Sequence, residues 1–251
     1  MRHEAPSRWD RGVLRRKQVV VDSTTVTYVD TPGYEQRVRL VDVHGPDPLH
    51  ALRTHLAGRD LLAPVDLART LIAHGAELRR HAHEMRRDLT TSPPPADWAR
   101  EHPAPPRHVV PCDRDATALL PAWQRAFPPG HPDGADGDDQ RALTDVLRPL
   151  LSGVVLGTVL DSSALVVDAR DDVIAGIVIN DRGGLPWVGE LFRDPDHPGL
   201  GGLLLRRALA HLAADGHPQA GLAVTAGNPA QRLYERLGFT VVDTTMTLAV
   251  P

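Results

Sequence analysis

A glycine-rich segment, Gly199-Leu200-Gly201, follows an apolar, strand-like stretch and precedes a helix-like one. Glycines let the backbone approach an anion closely, and the first N–H groups of a helix have no partner within that helix. The aligned peptide dipoles add partial positive charge at the same end. This order of strand, glycine turn and helix predicts a phosphate cradle. The alternative is a tight turn that needs glycine only for its backbone angles.

A second segment with consistent local chemistry begins at Asn228, one helix and one strand later. Asn228 is a good helix N-cap, and Pro229 suits the first helical position. Gly238 can supply the left-handed residue that ends a helix. The segment therefore predicts a short, well-capped helix over residues 229–237. Tyr234 within it offers a phenolic hydroxyl for chemistry, or an aromatic ring that only packs.

Together these segments resemble a known family. The pattern Asn-Pro-Ala-x-x-Leu-Tyr-x-x-Leu-Gly-Phe from Asn228 resembles the closing motif of the GNAT (GCN5-related) N-acetyltransferases, and it follows a glycine turn as in that family. The resemblance covers residues 109–250. It implies an α/β fold with a mixed sheet, splayed open where the pantetheine arm of acetyl-CoA lies. The implied activity is transfer of an acetyl group from acetyl-CoA directly to an amine of a small molecule or protein.

The resemblance also implies roles for individual residues. The backbone of Leu191, Phe192 and Arg193 would bind the pantetheine, and the Phe192 or Arg193 N–H would polarise the thioester. Asn228 would contact the cofactor arm, and Tyr234 would protonate the departing thiolate. The pyrophosphate would lie against the backbone of His197, Pro198, Gly199, Leu200, Gly201 and Gly202.

One residue departs from the family pattern. Asp196 stands where the family usually has Gln or Arg at the start of the turn. A carboxylate facing a pyrophosphate would repel it, so we expect Asp196 to point to solvent or the turn to be rebuilt.

A general base is also required, because an amine must lose a proton to attack a thioester. Glu190, in the strand that leads to the glycine turn, is the first candidate, since family members frequently use a carboxylate there. Strand alternation leaves open whether its side chain faces the cleft. His131 and Asp133 form a second candidate pair, with a solvated turn within residues 128–138 as the alternative.

Two further groupings of polar residues favour ordinary structure over chemistry. His81 and His83, followed by Glu84, could share one strand face, but further ligands for a closed metal site are not evident, and a polar face is the simpler interpretation. Ser162-Ser163 has no sign of the strained turn that exposes a catalytic serine. We therefore expect no metal site.

The elements that would position the site follow a proline-rich segment, residues 92–106, which we interpret as a linker. It separates an N-terminal α+β domain, 1–91, from the proposed acetyltransferase domain, 107–251. Helical spacing predicts helices over 116–127 and 139–151, and β-branched residues predict a hairpin over 164–179. Strands over 187–192, 221–225 and 239–250 complete a mixed α/β sheet.

In the N-terminal region, β-branched and apolar residues in partial alternation predict strands over 19–28 and 36–43, joined by a turn around Thr31-Pro32-Gly33. A helix with Leu67, Leu71 and Ile72 follows and ends at Gly75, and residues 76–89 suit either a strand or a second helix. This region echoes the helix, Gly238 and strand of the C-terminal motif. It is either a degenerate GNAT-like half or an unrelated α+β domain that contributes to the acceptor cleft or to a homodimer interface.

Composition narrows the functional classes. The 251 residues are 41% hydrophobic and 24% charged, as in ordinary globular proteins of one or two domains. A formal net charge of −4 lacks the basic surface expected of nucleic-acid binding. A single cysteine, the lack of a signal-like segment and the lack of a membrane-length apolar run predict a cytoplasmic protein without membrane association.

Three functions stay open at this level. The first is an active N-acetyltransferase. The second is a non-catalytic acyl-CoA-binding regulatory domain, which Asp196 would favour, and the third is an interaction protein with a vestigial site. The presence of both Asn228 and Tyr234 favours the first.

Overall fold

The computed structural model describes residues 15–31, 34–128, 130–131, 133 and 139–250. In chain order the strands are β1 (Lys17–Val21), β2 (Thr24–Thr31), β3 (Tyr34–His44), β4 (Asp60–Pro64), β5 (Glu77–Asp88), β6 (His108–Pro111), β7 (Ala164–Val167), β8 (Val173–Asp181), β9 (Pro186–Arg193), β10 (Gln219–Thr225) and β11 (Thr240–Ala249). The helices are α1 (Pro48–Leu56), α2 (Val65–Ala73), α3 (Ala116–Ala126), α4 (Asp139–Arg141), α5 (Arg148–Leu151), α6 (Leu200–Ala214) and α7 (Gln231–Arg236), with a π-helical stretch, Ala142–Leu147, between α4 and α5.

The chain divides into two compact units, and each contains residues distant in sequence. The first comprises Met1–Glu84, Val224–Gly227 and Val241–Pro251, and the second comprises Met85–Ala223 and Asn228–Thr240. The sequence predicts a single division of the chain, at the proline-rich segment 92–106. The compact units follow a different division, because most of β11 belongs to the first unit.

In the first unit, β1, β2 and β3 form an antiparallel meander, and β4 joins β3 in parallel. β11 lies antiparallel on the other side of β4, with Met246 opposite Ala63 and Leu248 opposite Leu61. Buried aliphatic side chains of the strands pack with those of α1 and α2 in one core, including Leu40, Leu52, Leu61 and Leu71.

The first unit corrects several expectations. The strand expected over 19–28 is two strands, because Asp22 and Ser23 adopt left-handed backbone angles and reverse the chain. α1 and β4 were not predicted. Of the two alternatives for residues 76–89, the structure shows the strand, over Glu77–Asp88. Pro32 and Gly33 of the expected turn lie outside the described residues.

In the second unit the strands follow the order β5, β10, β9, β8, β7, β6. β6 to β9 are antiparallel neighbours, and β10 is parallel to β9. α3 and the helical stretch over 139–151 cover one core with Leu165, Val167 and Phe192. α6 buries a continuous stripe that includes Leu204, Leu205, Ala208, Leu209 and Leu212. The helices and strands expected downstream of residue 107 are therefore present, together with a short edge strand, β6, that was not predicted.

The two halves of the sequence repeat one order of elements. Three antiparallel strands, a helix, a parallel strand, a helix and a final strand occur first as β1 to β5 with α1 and α2, and again as β7 to β11 with α6 and α7. Both second helices end alike, since Ala76 N donates to Leu71 O after Gly75, and Phe239 N donates to Tyr234 O after Gly238. The first unit contains the end of β11 beside β4, and the second contains the end of β5 beside β10.

The proline-rich segment packs within the second unit. It includes a 3₁₀ helix, Ala96–Arg100, and then Glu101, whose carboxylate accepts hydrogen bonds from Arg206 of α6 at 2.6–3.0 Å. No helix in the described part of the chain is both long enough and apolar enough to cross a bilayer.

Candidate functional site

The parallel strands β9 and β10 pair over a very short length. Their partners are Gly221 with Trp187 and Leu222 with Val188. Among the described residues no pair follows these two, so the last five residues of β9, from Gly189 to Arg193, have no partner in β10. The edge of β9 that leads to the glycine turn is therefore open.

A β-bulge in β9 sets which way its side chains face. The register with β8 shifts between Val178 and Ile179, opposite Gly189. A Cβ atom on Gly189 would lie 2.5 Å from Asn180 Oδ1, so the bulge requires glycine. Beyond it, Phe192 is fully buried, and Glu190, two residues earlier, lies on the same face of the strand.

The hydrogen bonds of β9 identify the backbone groups on its open edge. Asp194 N donates to Ile174 O at 2.8 Å, and hydrogen-bonded pairs alternate along an antiparallel ladder. Phe192 therefore bonds to β8, whereas Leu191 and Arg193 direct their N–H and C=O groups away from β8. This geometry favours Arg193 over Phe192 as the donor to a ligand, because Phe192 bonds to β8. The Leu191 N–H also points outward, but it already contacts Glu190 Oε1 at 3.3 Å.

The turn after β9 is organised by Asp194, which the sequence analysis missed. Its buried carboxylate accepts hydrogen bonds from Arg125 Nε at 2.7 Å and from the Asp196 N–H at 3.0 Å. Burial disfavours ionisation of Asp194, but the Asp196 amide and the Arg125 guanidinium outweigh it and hold the pKa below its ordinary value. The Arg193 guanidinium donates to the carbonyls of Asp194 and Pro195. Asp196 itself is exposed, which agrees with the alternative in which its side chain points to solvent.

The N-terminus of α6 is uncapped and open. Gly199 precedes it with φ 87° and, as a glycine, offers no side chain to cap the first N–H groups of the helix. The first helical hydrogen bond runs from Leu203 N to Gly199 O. A Cβ atom built on Gly199 or Gly201 would meet no atom within 4 Å. Free amides in front of open space fit a pyrophosphate. His197 and Pro198 lie in the preceding turn, and Gly202 lies close to Leu233 of α7.

Asn228 stabilises the approach to α7. Its Oδ1 accepts from Ala230 N at 2.8 Å, and its Nδ2 donates to Asp133 Oδ2. α7 begins at Gln231, two residues later than predicted, because Asn228 caps the turn that precedes the helix. Gly238 ends the helix with φ 84°, as predicted.

The Tyr234 side chain is buried on α7, with its ring edge-on to Phe239 at 6.0 Å. Burial, followed by the nearby carboxylates of Glu190 and Asp133, raises the pKa of Tyr234 above its ordinary value. Among the described residues its hydroxyl has no hydrogen-bond partner. The phenol therefore keeps its proton at neutral pH and has that proton available for a ligand.

The structure brings both carboxylate candidates close to Tyr234. Glu190 accepts a hydrogen bond from the indole Nε1 of Trp123 on α3 at 3.1 Å, a partner that the sequence analysis missed. Asp133 binds Asn228, so it is more than part of a solvated turn. His131 accepts from the Asp133 N–H and stacks edge-on against Phe127.

One residue in each of the other two polar groupings has a structural partner. In the first unit His83 Nδ1 lies 2.9 Å from Thr244 Oγ1, with its ring 5.4 Å from that of His81. In the second unit Ser163 Oγ exchanges hydrogen bonds with the backbone of Ile179. No group of three metal-ligating side chains occurs within the described ranges.

Comparison with known proteins points to one fold. Residues 166–248 match a family model described as FR47-like protein. Comparison with curated proteins gave no match. Among solved structures, the chain is similar to a GCN5-related N-acetyltransferase from Sphaerobacter thermophilus, with 17% identity, 90% of this chain and 75% of that chain covered, and a TM-score of 0.57.

Two further structures extend the likeness. A GCN5-related N-acetyltransferase from Kribbella flavida is 18% identical, with 94% of this chain and 90% of that chain covered and a TM-score of 0.53. A tandem GNAT protein from the clavulanic acid biosynthesis pathway is 15% identical, with 90% and 78% covered and a TM-score of 0.53. The tandem structure fits the repeated order of elements in this chain. The C-terminal portion of this chain has the fold of the GNAT superfamily, and the N-terminal half adds a second GNAT-like set of elements.

Proposed function

We propose that the C-terminal portion transfers an acetyl group from acetyl-CoA directly to an amine of a small molecule or protein. The observation that carries this proposal is a pairing of two features. An uncapped, open helix N-terminus follows the part of β9 that does not pair with β10. A buried phenol, which forms no hydrogen bond among the described residues, lies near two carboxylates.

Acetyl-CoA would be held mainly by backbone groups. The N–H groups of Leu200, Gly201 and Gly202, with the turn through His197, Pro198 and Gly199, would bind the pyrophosphate. The outward groups of Leu191 and Arg193 on β9 would bind the pantetheine arm in the gap beside β10. Asn228, fixed by Asp133, would border the arm, and the bound cosubstrate would supply an activated acyl group.

The N–H of Arg193 would donate a hydrogen bond to the acyl carbonyl oxygen. Such a donor stabilises the negative charge that develops on this oxygen as the amine attacks the carbonyl carbon. The strand and the bulge at Gly189 fix the position of the donor before any ligand binds. Little reorganisation would then be required during the reaction.

Two side chains would move protons. Glu190, held by the indole of Trp123, would accept the proton that the amine loses as the new C–N bond forms. Tyr234 would donate its proton to the sulfur as the C–S bond breaks, which releases a free thiol. The raised pKa of Tyr234 keeps this proton in place until then.

The test is thiol release from acetyl-CoA with a panel of small amines and peptide amines, alongside a thermal-shift assay. We expect acetyl-CoA to stabilise the protein against heat, and we expect thiol release only when an amine is present. Stabilisation without thiol release from any amine would support the non-catalytic acyl-CoA-binding alternative. No stabilisation at millimolar acetyl-CoA would reject the proposal.

A further inference from the structure

A separate cavity of about 220 Å³ lies within the second unit, beside the edge strand β6 and the residues that lead into its neighbour β7. One wall is the middle of α6, where Arg207 follows Gly201 by six residues, or about 9 Å along the helix axis. None of the residues proposed for acyl transfer lines it. Its walls include Val109, Val110, Ala164, Ser162, Arg207 and His211.

A buried hydroxyl without a partner lies in this wall. Ser162 is only 6% exposed, and its Oγ has no hydrogen bond among the described residues. Its neighbour Ser163, equally buried, uses its hydroxyl on the Ile179 backbone. Buried polar groups are nearly always paired, so the Ser162 hydroxyl is unusual and indicates a missing partner.

The guanidinium of Arg207 is also incompletely paired. Its Nη1 donates to the carbonyl of Glu101 at 2.6 Å, while its buried Nε has no hydrogen-bond partner among the described residues. The carboxylate of Glu101 is occupied by Arg206 at 2.6–3.0 Å. Arg207 therefore faces a neutral carbonyl, and no carboxylate in the described part of the chain forms an ion pair with it.

We propose that this cavity binds a small monocarboxylate with a short aliphatic chain. The Arg207 guanidinium and the Ser162 hydroxyl would hold the carboxylate, because a planar fork of donors suits that group. Val109, Val110 and Ala164 would pack against the chain. The volume is below the roughly 300–1,000 Å³ of sites for drug-sized molecules. The exposed carboxylate of Asp161 at the cavity disfavours a ligand with a second negative charge, such as phosphate.

NMR titration of the full chain with 3-methylbutyrate tests this site. We expect saturable shifts confined to β6, residues 161–164 and the middle of α6. Binding of 3-methylbutan-1-ol, which lacks the charge, and of inorganic phosphate should each be at least about tenfold weaker. Equal or tighter binding of phosphate, or the absence of saturable binding of 3-methylbutyrate, would overturn the proposal.

Two variants make the test specific. Ser162→Ala removes a hydroxyl that has no partner in the protein, so it should fold normally and weaken 3-methylbutyrate binding by about two- to tenfold. Arg207→Gln should weaken it more, and Arg170→Gln, an exposed site elsewhere, should not change it. All three variants should keep any stabilisation by acetyl-CoA. Unchanged binding in both Ser162→Ala and Arg207→Gln would reject the site.

Discussion

The helices α1 and α6 occupy the same place in the two repeated halves, but their N-termini differ. At α1, Asp47 accepts a hydrogen bond from His50 N at 3.0 Å, and Pro48 removes one N–H group. The preceding Gly45 is packed so tightly that a Cβ atom would lie 2.4 Å from Thr24. At α6, Gly199 leaves the amides uncapped before open space. The same fold thus has a capped helix N-terminus in the first half and an uncapped, open one in the second.

The second helices of the two halves, α2 and α7, also differ at one equivalent residue. Leu71 and Tyr234 occupy the same position relative to Gly75 and Gly238, and each accepts a hydrogen bond from the residue after its glycine. Leu71 is fully buried and has no proton to donate, whereas Tyr234 has a hydroxyl. The first half therefore keeps the framework but lacks the hydroxyl that we propose as the proton donor. Our central proposal is that only the second half binds acetyl-CoA and transfers its acetyl group.

The largest expected effect comes from Tyr234→Phe. The change keeps the ring and its packing against Phe239 but removes the proton donor, so kcat should fall about 10²- to 10⁴-fold while acetyl-CoA binding changes little. Steady-state thiol release and the thermal shift should be measured on the same sample.

The matched control is Tyr28→Phe in the first unit, where the hydroxyl lies 2.8 Å from His55 Nε2. It should leave turnover unchanged and lower stability by about 1 kcal/mol. Normal turnover in Tyr234→Phe would make that tyrosine a packing residue.

Gly201→Val should remove acetyl-CoA binding. The new side chain would extend into the open space at the start of the helix, since a Cβ atom at this position meets no atom from elsewhere in the described chain within 4 Å. Valine also suits a helix better than glycine does, so the ligand-free variant should melt near the wild-type temperature. The stabilisation of about 2.7 kcal/mol expected at a hundredfold excess over Kd should disappear. A variant that keeps this stabilisation would place the pyrophosphate elsewhere.

Asp47→Ala tests the closed half. Loss of the N-cap should lower the free energy of unfolding by about 0.5–2 kcal/mol, measured by urea denaturation. The acetyl-CoA-induced thermal shift should not change. If this variant gained a second acetyl-CoA site, capping by Asp47 would be what closes the first half.

Asp194→Asn should have the smallest effect, and that effect should depend on pH. Because the native pKa is below the ordinary value of 3.8, the carboxylate contributes stability above that value and loses it as pH falls through the native pKa. Urea denaturation should therefore show the variant less stable than wild type at neutral pH, with the difference shrinking below about pH 4. Asp196→Asn, at an exposed side chain, is the control. A difference independent of pH would contradict the assigned role.

Local signals predicted much of the second half. Gly238, Pro229 and the stripe of α6 are each readable within a few residues, because caps and helical spacing are local properties. The same local signals are present for α1, where Asp47-Pro48 precedes Leu49, Leu52 and Leu56 at helical spacing. β4 has no comparable signal, because it is only five residues long.

The remaining features depend on contacts between distant residues. The pairing of β11 with β4 joins segments about 180 residues apart, and no local pattern encodes it. The sequence was enough to propose Glu190 as a base, but the face of β9 on which its side chain lies depends on the bulge at Gly189. A glycine within a strand pattern was the available signal for that bulge. The contacts of Trp123 with Glu190 and of Arg125 with Asp194 depend on the packing of α3 against β9 and its turn, which no local pattern predicts.

The most direct test of the central claim is the number of acetyl-CoA molecules bound per chain, measured by titration calorimetry on the wild type, Gly201→Val and Asp47→Ala. We expect one molecule per chain for the wild type and Asp47→Ala, and none for Gly201→Val. Two molecules per wild-type chain, or binding that survives in Gly201→Val, would contradict it.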